Sequence, residues 1–342
     1  MAPAITSGCD VAMEIRWLEP ATVDRRDIGG VVAVLDSARV ADDRPGITLT
    51  VSGFRGLMRS GWEGDPPLVA IAVEAHRVVG VLELTLPPWD NTMLGVASIT
   101  VDPLRRRSGI GRALFGAAID RVRSAGRTTI IADAPVGSHG ERFLAAMGMA
   151  PEAGEQHRMQ DVTSLDWAVL DRLYADARRH SGDYELREIP AVAPDETLPG
   201  LIAVMSAIND APPDPRHAEP DRYPPERIRA YEAGEAALGR VGYRMVAVHV
   251  PTGRFVGYTA VGVDVERPWY ASQYQTTVLA EHRGHRLGLL LKIEMQRLLR
   301  DREPALRTVS TWNSRDNSHM IAVNEAVGYR LVADWCSGTT NL

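Results

Sequence analysis

The sequence predicts an α/β protein that is made of two tandem copies of one unit. The chain has 342 residues, whereas a single domain averages about 150 residues. Segments that alternate like strands and segments with helical periodicity follow one another, and their order runs twice along the chain. Short matches recur at related spacings: Val101 to Gly111 aligns with Val278 to Gly288, and Ser138-His139 with Ser318-His319. Ordered matches of this kind indicate an internal repeat.

The elements of the first copy follow from periodicity and from turn-forming residues. Pro20, the turn from Asp42 to Gly46, and Pro87-Pro88 separate the periodic segments. The predicted order is a strand (12–19), two helices (20–38 and within 49–60), three strands (68–74, 78–86 and 93–101), a helix (110–125), a strand (128–132), a short helix (139–147) and a hairpin (149–161).

The second copy repeats this order after a polar, helical segment at 163–182, which we interpret as a connector. The chain then divides into an N-terminal domain (1–162) and a C-terminal domain (183–342). The predicted elements of the second domain are a strand (184–189), a helix (195–208), a proline-rich loop (209–225), a helix (225–238), three strands (241–250, 254–263 and 270–278), a helix (287–302), a strand (307–312), a helix (317–327) and a strand (329–335).

Composition excludes several classes of protein. No apolar run approaches the roughly 18 residues of a membrane span, and the N-terminus does not read as a secretory signal, so we expect a cytoplasmic protein. Cys9 and Cys336 are the only cysteines, which is no disulfide framework. No Cys/His cluster has metal-ligand spacing, so no metal is expected. A net charge of −6 without a long basic run does not indicate a nucleic-acid surface.

The strand that ends at Val101 runs into a basic turn that opens an amphipathic helix. Glycines let the backbone approach a ligand closely, and the free N–H groups of a helix start favour an anion. Arginine side chains add forks suited to phosphate oxygens. We therefore predict a pyrophosphate cradle at Val101, Arg106, Arg107, Ser108, Gly109, Ile110, Gly111 and Arg112. The alternative is a basic surface turn whose glycines only reverse the chain.

The second copy carries the same turn with one important change. Arg286 stands where the first copy has Gly109, and a side chain adopts positive φ only at a cost. If the turn requires positive φ there, the two cradles bind with unequal affinity. The predicted residues of this second cradle are Val278, Arg283, Gly284, His285, Arg286, Leu287 and Gly288.

Arg106-x-x-Gly109-x-Gly111 resembles the Arg/Gln-x-x-Gly-x-Gly/Ala acyl-CoA signature of the GNAT acyltransferases. The repeat extends the resemblance over nearly the whole chain, as a tandem GNAT protein similar in arrangement to mycothiol synthase and related actinobacterial acetyltransferases. The resemblance implies two GNAT domains, each a mixed, mostly antiparallel, splayed sheet flanked by helices. It also implies acetyl-CoA or another acyl-CoA as co-substrate and a small-molecule amine as acceptor, with no nucleic-acid or membrane partner, in a monomer or homodimer.

The same resemblance suggests catalytic residues in the second domain. GNAT enzymes often place a base on the strand before the cradle, where this chain has Tyr274, and a tyrosine acid at the position of Asn324. Asn317 matches an asparagine that contacts pantetheine or orients water, and Asn313 flanks the gap where the cofactor enters. Two alternatives remain open, because Tyr274 also suits a half-buried strand position and Asn317 suits a helix N-cap.

Other candidates lie outside these positions. Asn209 and Asp210 lie in the loop that overlies the acceptor site in the GNAT fold, although both are also common turn residues. In the first domain Leu144 occupies the tyrosine position, and the nearest carboxylate is Glu83, which also suits a solvated strand position.

These residues predict an acyl-CoA-dependent N-acyltransferase. The C-terminal domain would be catalytic, and the N-terminal domain would bind CoA structurally. Two alternatives are catalysis in the N-terminal domain and a non-catalytic acyl-CoA-binding protein. The acyl group, acetyl or longer, stays open, and so does the acceptor, which is an antibiotic, a metabolite or a peptide N-terminus.

Overall fold

A computed structural model describes residues 13–211 and 219–342. Cys9 and the prolines at 212, 213 and 215 lie outside the described residues. The strands are β1 (Glu14–Leu18), β2 (Leu68–Glu74), β3 (Arg77–Thr85), β4 (Leu94–Val101), β5 (Thr129–Pro135), β6 (Ala150–Asp161), β7 (Tyr184–Ile189), β8 (Arg240–His249), β9 (Arg254–Asp264), β10 (Tyr270–Val278), β11 (Thr308–Ser314) and β12 (Arg330–Asn341).

The helices are α1 (Arg25–Ala41), α2 (Val51–Ser60), α3 (Ile110–Ser124), α4 (His139–Ala146), α5 (Trp167–Arg178), α6 (Leu198–Ser206), α7 (Pro225–Ala237), α8 (Leu287–Arg302) and α9 (Ser318–Ala326). Several begin where a side-chain oxygen accepts a hydrogen bond from a free backbone N–H group. Asp24, Thr50, Ser138 and Asp166 cap α1, α2, α4 and α5 in this way. None of the helices in the described ranges is both long and apolar enough to cross a membrane.

The twelve strands of the described residues form one open sheet in the order β1-β2-β3-β4-β5-β12-β6-β11-β10-β9-β8-β7. The pairs β4–β5 and β10–β11 are parallel, and the other pairs are antiparallel. Helices α1 and α2 pack on one face of the first half of the sheet, and α3 packs on the other. The predicted mixed, mostly antiparallel sheet flanked by helices is confirmed.

At the centre of the sheet, the two halves of the chain exchange strands. The last strand, β12, lies between β5 and β6, and β6 pairs in turn with β11. The predicted hairpin at 149–161 was wrong, because this segment is the single twelve-residue strand β6. It finds partners on both edges in the second half of the chain, so it does not fold back on itself. Strand β12 extends beyond its predicted end because Trp335 to Asn341 pair with β5.

The segment predicted as a connector contains α5, which packs on the second half. Leu170 and Ala177 are buried in one core with Leu290 and Leu299 of α8. The division of the chain at residues 162 and 183 stays a prediction, while hydrogen bonding makes the sheet continuous across it.

Candidate active site

The first cradle is a left-handed turn at the start of α3. Arg107 (φ 66°) and Gly109 (φ 89°) both have positive φ, and Gly109 is the N-cap without a side-chain hydrogen bond. The first N–H groups of α3 are therefore left for a ligand. A cavity of about 430 Å³ opens beside the turn, and its walls include Ser98 to Val101 of β4, Asp133 to Pro135 of β5, Phe143 of α4, and Trp335.

The second cradle has the same backbone with the residue types exchanged. Gly284 (φ 84°) and Arg286 (φ 57°) have positive φ, at the positions that correspond to Arg107 and Gly109. Each turn thus contains one glycine and one arginine in the left-handed region, in opposite order. Arg286 adopts positive φ, which costs free energy for a residue with a side chain, and Arg107 does the same in the first turn. A cavity of about 720 Å³ lies beside the second turn.

An aspartate anchors the corresponding arginine in each cradle. Arg106 donates two hydrogen bonds to Asp42, at 2.6 and 2.8 Å, and Arg283 donates one to Asp210 at 2.8 Å. Each aspartate follows the first long helix of its half. Asp210, predicted to bind substrate, is therefore the anchor of the second cradle. Asn209, its predicted companion, is bonded in both directions to the backbone of Asp221 and closes the loop.

The two cradles differ in the charge that they leave free. Arg107 and Arg112 line the first cavity, and neither forms an ion pair with an acidic side chain of the described residues. Arg286, in contrast, forms an ion pair with Asp176, and Leu289 stands at the position of Arg112. The first turn therefore offers two unpaired guanidinium groups that the second lacks.

His282 of the second turn adds no compensating positive charge at neutral pH. His282 and His285 pack around the ring of Tyr184. Burial and the nearby His249 lower the pKa of His282, so its neutral form dominates. His285 is bonded through Nδ1 to the carbonyl group of His180, at 3.0 Å.

The remaining cradle residues have structural partners. Ser108 donates a 2.5 Å hydrogen bond from its hydroxyl to the carbonyl of Arg105. Ile110 and Leu287 are buried in the cores of their halves. Gly111 lies against the ring of Phe143, because a Cβ atom added to it would lie 3.2 Å from that ring, whereas one added to Gly288 would meet nothing within 4 Å.

Arg44 is a further residue of the first cavity that the sequence did not reveal. It lines the cavity, and its buried Nε atom has no hydrogen-bond partner among the described residues. Burial lowers the pKa of its guanidinium group, while Asp42 opposes that shift. The Nε atom lies 3.9 Å from Oδ2 of Asp42, so the guanidinium group of Arg44 is part of the charged cluster at this wall of the cavity.

The three asparagines of the second half occupy different environments. Asn317 lines the second cavity and caps α9, since its Oδ1 accepts a 3.1 Å hydrogen bond from the N–H of Met320. Asn324 is completely buried and donates to Oδ1 of Asn313 at 2.7 Å. The N-cap alternative for Asn317 is thus realised, and Asn313 and Asn324 pair with each other.

Tyr274 lies in the contact between the two halves rather than among the residues that line the second cavity. Its ring packs edge-on against Trp62 and Tyr231. Its hydroxyl donates to Glu235 at 2.7 Å and accepts from Arg240 at 3.0 Å. Burial, and then Glu235, raise the pKa of Tyr274 well above its usual value. A phenol in this state remains protonated at neutral pH, so the geometry does not support its predicted role as a base.

Glu83 lies on the strand next to one wall of the first cavity. It is on the same face of β3 as Val81, which packs with α1 and α2, and it is the register partner of Ser98, a residue of the cavity wall. Its carboxylate has no hydrogen bond or ion pair within the described ranges, and the residue is partly buried. Burial raises the pKa of Glu83 to about 7. Ala260 stands at the corresponding position of β9.

Comparison with known proteins agrees with this architecture. Residues 47–149 match the Acetyltransferase (GNAT) family. The chain contains a GNAT acetyltransferase domain. It is therefore an enzyme of the acetyltransferase type. No curated protein matches its sequence.

Solved structures extend the likeness to the whole chain. A tandem GNAT protein from the clavulanic acid biosynthesis pathway is 29% identical with a TM-score of 0.76, and the alignment covers 96% of this chain and 98% of that one. A GCN5-related N-acetyltransferase from Sphaerobacter thermophilus shares the fold, with 13% identity, a TM-score of 0.68 and coverage of 96% and 95%. The tandem GNAT architecture is thus supported, while the likeness to mycothiol synthase remains an expectation.

Within the described residues, no group of three or more His, Cys, Asp and Glu side chains is arranged to hold a metal ion.

Proposed function

We propose that the protein transfers an acyl group, acetyl in the simplest case, from acyl-CoA to a small amine, and that the first half holds the acyl-CoA. The observation that carries this proposal is the pair of unpaired arginines, Arg107 and Arg112, beside the free N–H groups of α3. A pyrophosphate carries negative charge, and both the helix start and guanidinium forks favour it. The second cradle uses its arginines in ion pairs with Asp210 and Asp176.

The walls of the first cavity suit the rest of the cofactor. The diverging strands β4 and β5 leave room for the pantetheine arm, and Phe143 and Met147 provide apolar surface on the α4 side. Arg44 and Arg106 lie at the α1 side of the same cavity. The acyl-CoA would therefore enter with its pyrophosphate on the turn at Ser108 to Arg112 and its thioester between the two strands.

Glu83 is the residue that we propose as general base. Attack by an amine requires the loss of a proton, and a base works best when its pKa lies near the working pH. The carboxylate of Glu83, with a pKa of about 7, meets this condition. Its register partner Ser98 lies on the cavity wall, so the proton would pass to Glu83 directly or through one water molecule. Expulsion of the thiolate completes the transfer.

This proposal reverses the assignment that the sequence suggested. Catalysis in the second half rested mainly on Tyr274, which is held by Glu235 and Arg240. One feature favours that half as the second candidate, because β10 has a bulge between Gln273 and Thr276. Bulges leave backbone groups unpaired and are common beside active sites.

The decisive experiment counts coenzyme sites and then measures turnover. Calorimetry with acetyl-CoA is expected to show its tighter site in the first half, lost in Gly111→Asp and retained in the matched variant Gly288→Asp. Release of thiol from acetyl-CoA with a panel of amines then tests catalysis. Loss of the tighter site in Gly288→Asp alone would place the cofactor in the second half. Binding without turnover on any amine would leave an acyl-CoA-binding protein.

A further inference from the structure

We infer that strands of both halves form an aromatic platform beside the first cavity, made of His157, Trp312 and Trp335, and that this platform selects an amine carrying a planar ring. The inference rests on the proposed function, since it names the class of amine. The platform combines residues of three strands that the exchange at the centre of the sheet places side by side.

Strand pairing positions the three rings. His157 of β6 is the register partner of Trp312 of β11, and β12, which carries Trp335, lies along the other edge of β6. The rings of His157 and Trp312 are parallel, with centroids 4.4 Å apart and planes 6° apart. The ring of Trp335 stands at 77° to that of Trp312, at 5.3 Å.

Trp335 connects the platform to the first cavity. It lines that cavity together with Ser98 and Arg44. The loop between α1 and α2 approaches the other end of the platform, because a Cβ atom added to Gly46 would lie 3.6 Å from Cε1 of His157. This loop belongs to the first half, so both halves contribute to the same side of the sheet.

The platform is fixed in place and uncharged at neutral pH. His157 is only 4% exposed, and its Nε2 shares a 2.7 Å hydrogen bond with the hydroxyl of Ser310. Burial lowers the pKa of His157 to about 4, so the ring is neutral. Trp312 is 42% exposed, although its ring packs against one parallel ring and one perpendicular ring. It therefore offers a ligand aromatic surface that needs little further ordering.

An aromatic surface of this kind discriminates by shape and electron distribution. Ring pairs gain about 0.5–1.5 kcal/mol beyond the area that they bury, whereas a saturated ring of equal size gains the burial alone. An ammonium group attached to the ring is compatible with the platform, because aromatic faces attract cations. The structure thus favours a planar ring over a saturated one in an otherwise identical amine.

The test compares benzylamine with cyclohexylmethylamine, using the full chain saturated with acetyl-CoA. We expect kcat/KM for thiol release to be about three- to tenfold higher for benzylamine. Trp312→Leu should abolish the preference, and Trp312→Phe should retain most of it. Trp269→Leu serves as the matched control, because Trp269 is also 42% exposed but packs on Tyr270, and it should keep the preference.

A binding measurement separates this inference from the proposed function. Calorimetry of the same two amines is performed on the chain saturated with coenzyme A. A preference for benzylamine that disappears in Trp312→Leu supports the platform even if neither amine is acetylated, in which case the proposed function fails alone. Equal binding of the two amines, binding of neither, or a preference that survives Trp312→Leu would overturn the inference.

Discussion

In both halves a strand ends at a valine, and the turn that follows opens a helix through two residues with positive φ. The first turn places arginine and then glycine at these positions, and the second places glycine and then arginine. Arg106 and Arg283 are each anchored by an aspartate. The backbone is therefore conserved between the halves, while the charge is not, since Arg286 is paired with Asp176.

The strands that precede the two turns, β4 and β10, also differ from each other. Strand β10 is bulged at Tyr274 and Gln275, whereas the register of β4 against β3 is unbroken. The bulged half has Ala260 where the other half has Glu83. Features that one active site would combine are thus divided between the halves, because the bulged strand lies in the second half and Glu83 in the first. The half with the cation-rich turn and with Glu83, whose carboxylate has no partner among the described residues, is therefore the better candidate for chemistry.

The largest expected effect is on turnover. Glu83→Gln should lower kcat by about 10²–10⁴-fold, the usual contribution of a positioned base, once an amine substrate is identified. Tyr274→Phe is the control and should retain turnover. The reverse result, with Tyr274→Phe inactive and Glu83→Gln normal, would return catalysis to the second half.

The pH dependence sharpens the same assignment. The pKa of Glu83 is raised to about 7, so the carboxylate is neutral below this pH and ionised above it. A base must be ionised, and kcat/KM should therefore fall as the pH decreases below about 7. The rate–pH profile checks this expectation, and Glu83→Gln should remove that limb from the residual activity.

The next effect concerns coenzyme affinity. Gly111→Asp places a carboxylate near the expected pyrophosphate, at a cost of about 3 kcal/mol or roughly a hundredfold in Kd. Gly288→Asp makes the same change in the second turn and should leave the tighter site unchanged. Calorimetry distinguishes the two variants, and circular dichroism verifies that Gly111→Asp still folds beside Phe143.

A smaller effect is expected from the free arginines. Removing Arg107 and Arg112 together should weaken acetyl-CoA binding about tenfold at low salt, with a smaller loss at high salt because screening weakens exposed charges. The matched double variant removes Arg283 and Arg286, whose guanidinium groups are already paired. If the matched variant showed the larger loss at the tighter site, our ranking of the two cradles would be incorrect.

The smallest effect is on stability alone. Tyr274→Phe removes a hydrogen bond from Glu235, whose Oε2 already lacks a partner among the described residues. We expect a loss of about 1–3 kcal/mol in the free energy of unfolding, measured with a denaturant. Tyr329 is also buried, and its hydroxyl has no hydrogen bond within the described ranges, so Tyr329→Phe should cost less.

Much of this protein follows from its sequence. The internal repeat, the order of strands and helices, and both cradle turns are visible because they depend on local patterns of apolar residues, glycine and arginine. The aligned turns also show that arginine and glycine change places between Arg107–Gly109 and Gly284–Arg286. Only the backbone angles show that both of these positions have positive φ. The N-cap at Asn317 is another local feature that sequence reasoning identified as an alternative.

Only the tertiary structure decided the rest. The local pattern of β6 predicts a hairpin, whereas its actual partners, β11 and β12, lie more than a hundred residues away. For the same reason, the residues that neighbour Trp335 in sequence do not predict that it lines a cavity of the first half. The sequence neighbours of Tyr274 likewise do not predict its burial against Trp62. Local periodicity determines which segments become strands and helices, whereas contacts between distant segments determine which side chains share a site.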